Sequence, residues 1–232
     1  MPLIFLRNGH IPMSISAEPE LQTLKPRALA RAESRLDSWP VVLPYDVSLK
    51  VSLVDFQQIS SLNPESRLEL TAQGDLIVMP PCSTETGGWN QEISGQLYLW
   101  SKNHPIGRTF DSSAGFILPD GSCRSPDASW ISSDRWNALS AEEKSGFARI
   151  CPDFVVELRS PSDSLPDLEA KLEEYMANGA SLGWLIDPLS KTATVYRAGR
   201  APESLVGPQH LSGENVLAGF ALNLASIFKE PD

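Results

Sequence analysis

Asp127, Glu157 and Lys171 are the residues of this sequence whose types and spacing best fit a chemical role. Asp127 follows a proline at the predicted start of a strand, and Glu157 lies within the apolar run 154–158. Because burying a lone carboxylate costs several kcal/mol, Glu157 needs a cationic side chain or a metal ion as its partner. Two carboxylates on neighbouring strands can hold Mg²⁺, which prefers oxygen ligands and keeps several of its waters.

A divalent cation at such a site would serve the hydrolysis of a phosphodiester. The cation lowers the pKa of a bound water, which then attacks the phosphorus, and it neutralises charge on the phosphate. Lys171, which follows on a strongly amphipathic helix, could orient that water or stabilise the charge of the transition state. The chemistry predicted from these residues is therefore metal-assisted hydrolysis.

Each of the three residues also has a purely structural explanation. Asp127 could belong to a turn, since Pro-Asp is common turn chemistry. Glu157 could be a buried ion-pair partner of Arg159 or of Arg124. Lys171 could lie on a solvated helix face, which the glutamates beside it favour. The order of the three residues along the chain, more than any one of them, favours the metal site.

The elements that must position these residues form a mixed α/β pattern from residue 51 onward. Ser52 is a suitable N-cap for a short helix, and the clearest helix carries Leu168, Leu172 and Tyr175 on one face. This order of elements predicts a mixed sheet with helices packed on it. The main predicted elements are a hairpin at 67–71 and 75–79, a helix at 86–103, strands at 110–118, 125–131 and 154–158, a helix at 165–178, paired strands at 182–187 and 192–196, and a final helix at 222–228.

Residues 1–50 differ from the rest of the chain. Six prolines interrupt this segment and limit regular structure to short pieces, with one helix predicted between Pro26 and Pro40. We therefore expect an N-terminal extension at 1–50 and one domain at 51–232.

Composition narrows the possible partners and the compartment. The 29 acidic and 19 basic side chains give a formal net charge of −10, which argues against a purely electrostatic nucleic-acid binder but leaves room for a local basic groove. Cys82, Cys123 and Cys151 form no CxxC pair, so neither a cysteine-based zinc site nor a disulfide framework is expected. No long apolar run supports export or membrane spanning, and we expect a reducing cytoplasm and no membrane partner.

Several stretches together resemble one known family. Its members are bacterial proteins known as putative restriction endonucleases, within the PD-(D/E)XK nuclease superfamily. The resemblance runs from about residue 51 to residue 228 and does not cover residues 1–50. It rests on the order of the motifs RLEL (67–70), MPP (79–81), SPDASW (125–130), CPDFVVELRSPSD (151–163), LEAKLEEYMANG (168–179) and WLIDP (184–188).

The resemblance implies a restriction-endonuclease-like fold, which is a mixed sheet flanked by helices. By position, Asp127 becomes the aspartate of the Pro-Asp element and Glu157 the acidic residue of the (D/E)XK element, both as metal ligands. Glu69 matches an early glutamate that can help to bind metal or water. Arg159 stands where the superfamily has its lysine, and Arg and Lys are not equivalent there. Lys171 matches the lysine that this family carries on the following helix, and the sequence leaves open which of the two fills that role.

Residues and resemblance together predict a Mg²⁺-dependent endonuclease that acts on DNA, with Mn²⁺ as a second possible cation. Its catalytic residues are then Asp127, Glu157, Lys171 and Glu69. A homodimer is expected, because cutting both strands usually involves two symmetric copies. The alternative is a catalytically inactive module on the same fold that binds DNA or another protein, and the arginine at position 159 favours it.

Overall fold

The structure is a computed structural model, and the chain divides into two units, Met1–Ser48 and Leu49–Asp232. In the first unit, strands β1 (Leu3–Phe5) and β2 (Pro40–Val42) form an antiparallel pair. The helix predicted between Pro26 and Pro40 lies outside the described residues. The structure describes residues 3–5, 40–42 and 48–229.

The described part of the second unit contains five helices and twelve strands. The helices are α1 (Leu53–Leu62), α2 (Thr84–Asn103), α3 (Ser133–Ala138), α4 (Ala141–Ser145) and α5 (Leu165–Ala177). The strands are β3 (Arg67–Leu70), β4 (Leu76–Met79), β5 (Gly107–Asp111), β6 (Phe116–Ile117), β7 (Cys123–Arg124), β8 (Ala128–Ser132), β9 (Phe154–Leu158), β10 (Leu182–Asp187), β11 (Thr192–Arg197), β12 (Glu203–Val206), β13 (His210–Ser212) and β14 (Ala221–Asn223). None of these helices has the length and apolar character needed to cross a membrane.

The main sheet has six strands in the order β12–β11–β10–β9–β8–β5. β9 and β10 are parallel, while the other neighbours are antiparallel. A parallel pair needs a crossover connection, and α5 supplies it between β9 and β10. A smaller antiparallel sheet has the order β4–β3–β7–β6, and β13 pairs with β14. Glu157 therefore comes from the main sheet and Glu69 from the smaller one.

Both faces of the main sheet are covered, which explains the apolar character of its central strands. Phe154 and Val156 of β9 belong to the hydrophobic cluster that includes residues of α2. Val155 belongs to the cluster on the other face, together with Leu172 of α5. Because successive strand residues point to opposite faces, Glu157 lies on the same face as Val155, towards α5.

Local sequence signals set the helix ends near these strands. The Ser52 hydroxyl caps α1, as predicted, by accepting a hydrogen bond from the third residue of the helix. The Ser83 hydroxyl accepts a hydrogen bond from the N–H of Thr86 at 3.1 Å and caps α2. α5 has a proline in its first turn and ends before Gly179, whose φ of 103° suits glycine.

Most of the predicted elements agree with the structure, with two exceptions. The strand predicted at 110–118 is divided between β5 of the main sheet and β6 of the smaller sheet. The hairpin of β3 and β4, the helices α2 and α5, and the strands β8 to β11 are confirmed. The helix predicted at 222–228 is wrong, because Ala221–Asn223 is strand β14, in which Leu222 pairs with Leu211. Leu222 and Leu224 are both buried, and this two-residue period is that of a strand.

Candidate active site

Asp127 and Glu157 lie next to each other at one end of the main sheet. In the antiparallel pair of β8 and β9, Ala128 is opposite Val156, so Asp127 precedes this pair on one strand and Glu157 follows it on the other. The N–H of Leu158 donates to Oδ2 of Asp127 at 2.9 Å. The Asp127 carboxylate is therefore fixed to the strand that carries Glu157. A residue that served only to form a turn would not need this contact.

Lys171 connects the smaller sheet to the main sheet. Its Nζ lies 2.9 Å from Oε1 of Glu157 and 2.9 Å from Oε1 of Glu69. All three side chains are buried, and only 3% of each glutamate is exposed. Burial alone would lower the pKa of Lys171, but the two carboxylates outweigh it and raise this pKa above the ordinary value. Lys171 is therefore charged, and the solvated position considered for it is wrong.

The two arginines considered as partners of Glu157 pair elsewhere. Nη1 of Arg159 lies 2.8 Å from the aspartate that ends β10. Arg124 forms its ion pairs with Glu69 and with a glutamate of α5. Of the two candidates for the lysine role, Lys171 is the one that contacts Glu157.

Glu69 is held by three donors, which explains how its charge is buried. In addition to Lys171, the N–H of Ser125 donates to Oε1 at 3.0 Å and Arg124 donates to Oε2 at 3.2 Å. Burial favours the neutral carboxyl, but Lys171 and Arg124 outweigh it and hold the pKa of Glu69 below its ordinary value. Glu69 is thus a charged anchor for Lys171, and both of its oxygens are engaged.

Glu157 resists ionisation, in contrast to Glu69. Burial is the largest cause, the charges of Asp127 and Glu69 add to it, and the pKa of Glu157 rises to about 8 despite Lys171. The hydroxyl of Tyr175 donates at 3.2 Å to the same Oε1 that Lys171 contacts. Among the residues that the structure describes, none donates a hydrogen bond to Oε2 of Glu157, so this oxygen is available to a ligand.

Asn90 and Arg67 border the two carboxylates, although the sequence patterns do not single them out. Nδ2 of Asn90 lies 3.4 Å from Oδ1 of Asp127, and Oδ1 of Asn90 is buried without a partner within residues 48–229. Burial raises the pKa of Asp127, and the charge of Arg67 is close enough to oppose this rise. Asn90 lies at helical spacing before the buried Ile93 and Leu97, so a polar residue on the apolar face of α2 is the signal for it.

These side chains line a narrow cleft of about 100 Å³. Its walls include Asp127, Glu157, Lys171, Asn90 and Arg67. Asn90 and Arg67 also line a larger cavity of about 500 Å³ between α2 and the end of β5. The carboxylates, the ammonium and the guanidinium therefore border one continuous region of the surface.

The donor set of the cleft fits Mg²⁺. This ion is usually bound by one or two carboxylates, while waters and substrate phosphates complete its ligands. Asp127 and Glu157 supply such a pair. Burial is the main cause of the raised pKa of Glu157, and the charges of Asp127 and Glu69, which add to it, are ones that a divalent cation would offset. In the described part of the chain, no group of three or more His, Cys, Asp or Glu side chains could hold a metal ion by itself. Asp127 and Glu157 are the residues that could hold one together with water and substrate.

The raised pKa of Glu157 predicts a pH-dependent stability of the metal-free protein. A carboxyl with a higher pKa in the folded state contributes stability that is full below its unfolded pKa of 4.5 and is lost as the pH rises to about 8. In EDTA, the free energy of unfolding of the wild type should therefore fall relative to that of Glu157→Gln between about pH 5 and about pH 8.5. Urea denaturation of both proteins measures the difference, and a difference that is constant over this range contradicts the raised pKa.

A solved structure agrees with this fold. It is described as a putative nuclease from Anabaena variabilis and matches with a TM-score of 0.65 and 23% identity, over 77% of this chain and 97% of that chain. No curated protein matches the chain.

The mixed sheet flanked by helices is thus the fold predicted from the sequence, and the solved structure shares it. A family model described as "Putative restriction endonuclease" matches residues 53–225. The chain belongs to this family, which confirms the resemblance found in its motifs. Membership of the family supports a nuclease-like function.

Proposed function

We propose that the chain is a Mg²⁺-dependent endonuclease that hydrolyses DNA phosphodiester bonds and that residues 51–232 carry the activity. One observation supports this proposal above the others. The Lys171 ammonium is held between Glu69 and Glu157 at the wall of a cleft that Asp127 also lines. A buried ammonium beside two carboxylates that can share a cation is suited to the hydrolysis of a charged phosphodiester.

Asp127 and Glu157 would hold the cation, for which Mn²⁺ can substitute. When bound, the cation supplies positive charge to the phosphate and lowers the pKa of a water. The two carboxylates are positioned before substrate arrives, because the N–H of Leu158 fixes Asp127 and the hydroxyl of Tyr175 fixes Glu157. Such preorganisation avoids a rearrangement during the reaction.

Lys171 would orient the attacking water or stabilise charge on the phosphate. An ammonium has three N–H donors. Glu69 and Glu157 use two of them, which leaves one for a water or a phosphate oxygen in the cleft. Glu69 acts through Lys171, because its own oxygens are already engaged by protein donors.

The alternative of an inactive module on the same fold loses its main support. It was favoured by Arg159, which stands where the superfamily has a lysine. Arg159 pairs with Asp187, whereas Lys171 contacts the glutamate of the triplet. In the proposed site, the ammonium therefore comes from Lys171 of α5 and not from position 159.

The expected partners follow from the same chemistry. The net charge of −10 predicts weak binding to DNA, because few cationic groups are available to replace counterions. We expect a homodimer when both strands are cut, since a symmetric pair presents two equivalent sites. Cys82, Cys123 and Cys151 are free thiols, in keeping with the reducing cytoplasm expected for this chain.

Cleavage of supercoiled plasmid tests the proposal. The wild type should convert the plasmid to nicked and linear forms in Mg²⁺ and leave it intact in EDTA. A variant that carries both Asp127→Asn and Glu157→Gln, purified in the same way, controls for contaminating nucleases. Equal cleavage by the wild type and this variant, or no cleavage in any divalent cation, would refute the proposal.

A further inference from the structure

Arg67 has one edge of its guanidinium without a partner. Nε and Nη2 are both shielded from solvent, and neither finds an acceptor among residues 48–229. These two nitrogens direct their N–H groups to the same side, which is the edge that binds a carboxylate or phosphate with two parallel hydrogen bonds. A charged donor pair that is shielded and unpaired is costly in a folded protein, so its presence beside a cleft suggests a ligand.

Arg67 lies where its guanidinium could contact a phosphate of the substrate. Arg67 lines the 100 Å³ cleft together with Asp127, Glu157 and Lys171, and its charge acts on Asp127. An anion near these carboxylates needs a cationic contact to offset their repulsion. Lys171 already shares its charge between Glu157 and Glu69, whereas Arg67 is free of any ion pair in the described chain.

The larger cavity offers space for the next part of a DNA strand whose phosphate lies in the cleft. It has a volume of about 500 Å³ and shares Arg67 and Asn90 with the cleft. Gln91 and the exposed ring of Tyr98 also line it, so it offers hydrogen-bonding groups and an aromatic surface. An exposed aromatic ring such as that of Tyr98 can stack on nucleic-acid bases. Asp111, which also lies in the cavity wall, accepts hydrogen bonds from a serine of its own loop.

We propose that Arg67 binds a backbone phosphate of the DNA strand, so that the adjoining nucleotide lies in the cavity beside α2. This inference rests on the proposed function and names the residue that seats the substrate. Arg67 is then a substrate-binding residue, distinct from the carboxylates and from Lys171, which perform the chemistry.

A purely structural role makes a different prediction. Arg67 could serve only to hold Asp127 through its charge, and its loss would then change the rate constant kcat or the folding of the protein. Loss of a phosphate contact should instead raise KM and the dissociation constant for DNA. The two roles are therefore separable by measuring binding apart from cleavage.

Binding is measured in EDTA by the fluorescence anisotropy of a labelled single-stranded oligonucleotide. Arg67→Gln should weaken binding about ten- to a hundredfold, as expected for the loss of a charged hydrogen-bond pair, and should lower the salt slope by about one. The affinity of Arg67→Lys for the oligonucleotide should lie between that of the wild type and that of Arg67→Gln, since lysine keeps the charge but loses the paired hydrogen bonds. Arg200→Gln makes the same charge change at an exposed turn and should bind like the wild type.

Steady-state cleavage in Mg²⁺ completes the test, with an increase in KM and little change in kcat expected for Arg67→Gln. If Arg67→Gln and Arg200→Gln bind and cleave alike, the inference fails while the proposed function stands. If the wild type binds but never cleaves, and only Arg67→Gln loses binding, the proposed function fails while the inference stands. Absence of binding by the wild type at low salt contradicts the inference.

Discussion

Replacement of Asp127 by asparagine, or of Glu157 by glutamine, should lower the rate of DNA cleavage by about 10²- to 10³-fold. Each change keeps the size of the side chain and removes one negative charge from the wall of the cleft. A neutral amide is a poor ligand for Mg²⁺, so the charge that neutralises the phosphate would be lost. Single-turnover cleavage of an end-labelled DNA duplex in Mg²⁺ measures the effect.

Glu169→Gln is the matched control for this prediction. Glu169 is exposed on α5, the same helix that carries Lys171, and the chemical change is identical to that at Glu157. Its cleavage rate should stay close to that of the wild type. Wild-type rates in Asp127→Asn and Glu157→Gln would show that these carboxylates do not take part in the reaction.

Replacement of Lys171 by methionine should lower the free energy of unfolding by about 3–5 kcal/mol, because it leaves two buried carboxylates without their shared partner. Nζ of Lys171 contacts both Glu69 and Glu157, and both glutamates are almost completely buried. The loss should be smaller below the raised pKa of Glu157, which is about 8, because a protonated Glu157 no longer needs a cation. Urea denaturation near pH 6 and near pH 9 measures both effects.

Lys102→Met controls for the general effect of removing a lysine. Lys102 is exposed on α2, and its loss should change the free energy of unfolding by less than about 1 kcal/mol. Glu69→Gln combined with Lys171→Met should recover part of the stability lost in the single variant, because one unpaired charge is removed. Equal losses in Lys102→Met and Lys171→Met would contradict the buried ion-pair network.

The sequence identified the acidic residues of the site but not all of their contacts. Glu157 could be recognised because a carboxylate in an apolar strand requires a partner, and Asp127 because it begins the neighbouring strand. The choice among Lys171, Arg159 and Arg124 as that partner could not be made from spacing. It depends on α5 crossing over the sheet, which places Lys171 above Glu157.

Contacts between distant parts of the chain account for the features that the sequence missed. The ion pair of Glu69 and Lys171 joins residues 102 positions apart, and no local pattern encodes it. Arg67 is the first residue of β3, and only the cleft that it shares with Asp127 indicates a role for it. The final helix was predicted wrongly for the same reason, since pairing with β13 determines the conformation of β14.

Binding of Mn²⁺ to the metal-free protein tests the central claim most directly, because that claim is that Asp127 and Glu157 together hold a divalent cation. Free Mn²⁺ is followed by electron paramagnetic resonance during a titration at a pH above the raised pKa of Glu157, which is about 8. Saturable binding by the wild type and by Glu169→Gln, with loss of binding in Asp127→Asn and in Glu157→Gln, is the expected result. Equal binding by all four proteins, or binding by none of them, would contradict the claim.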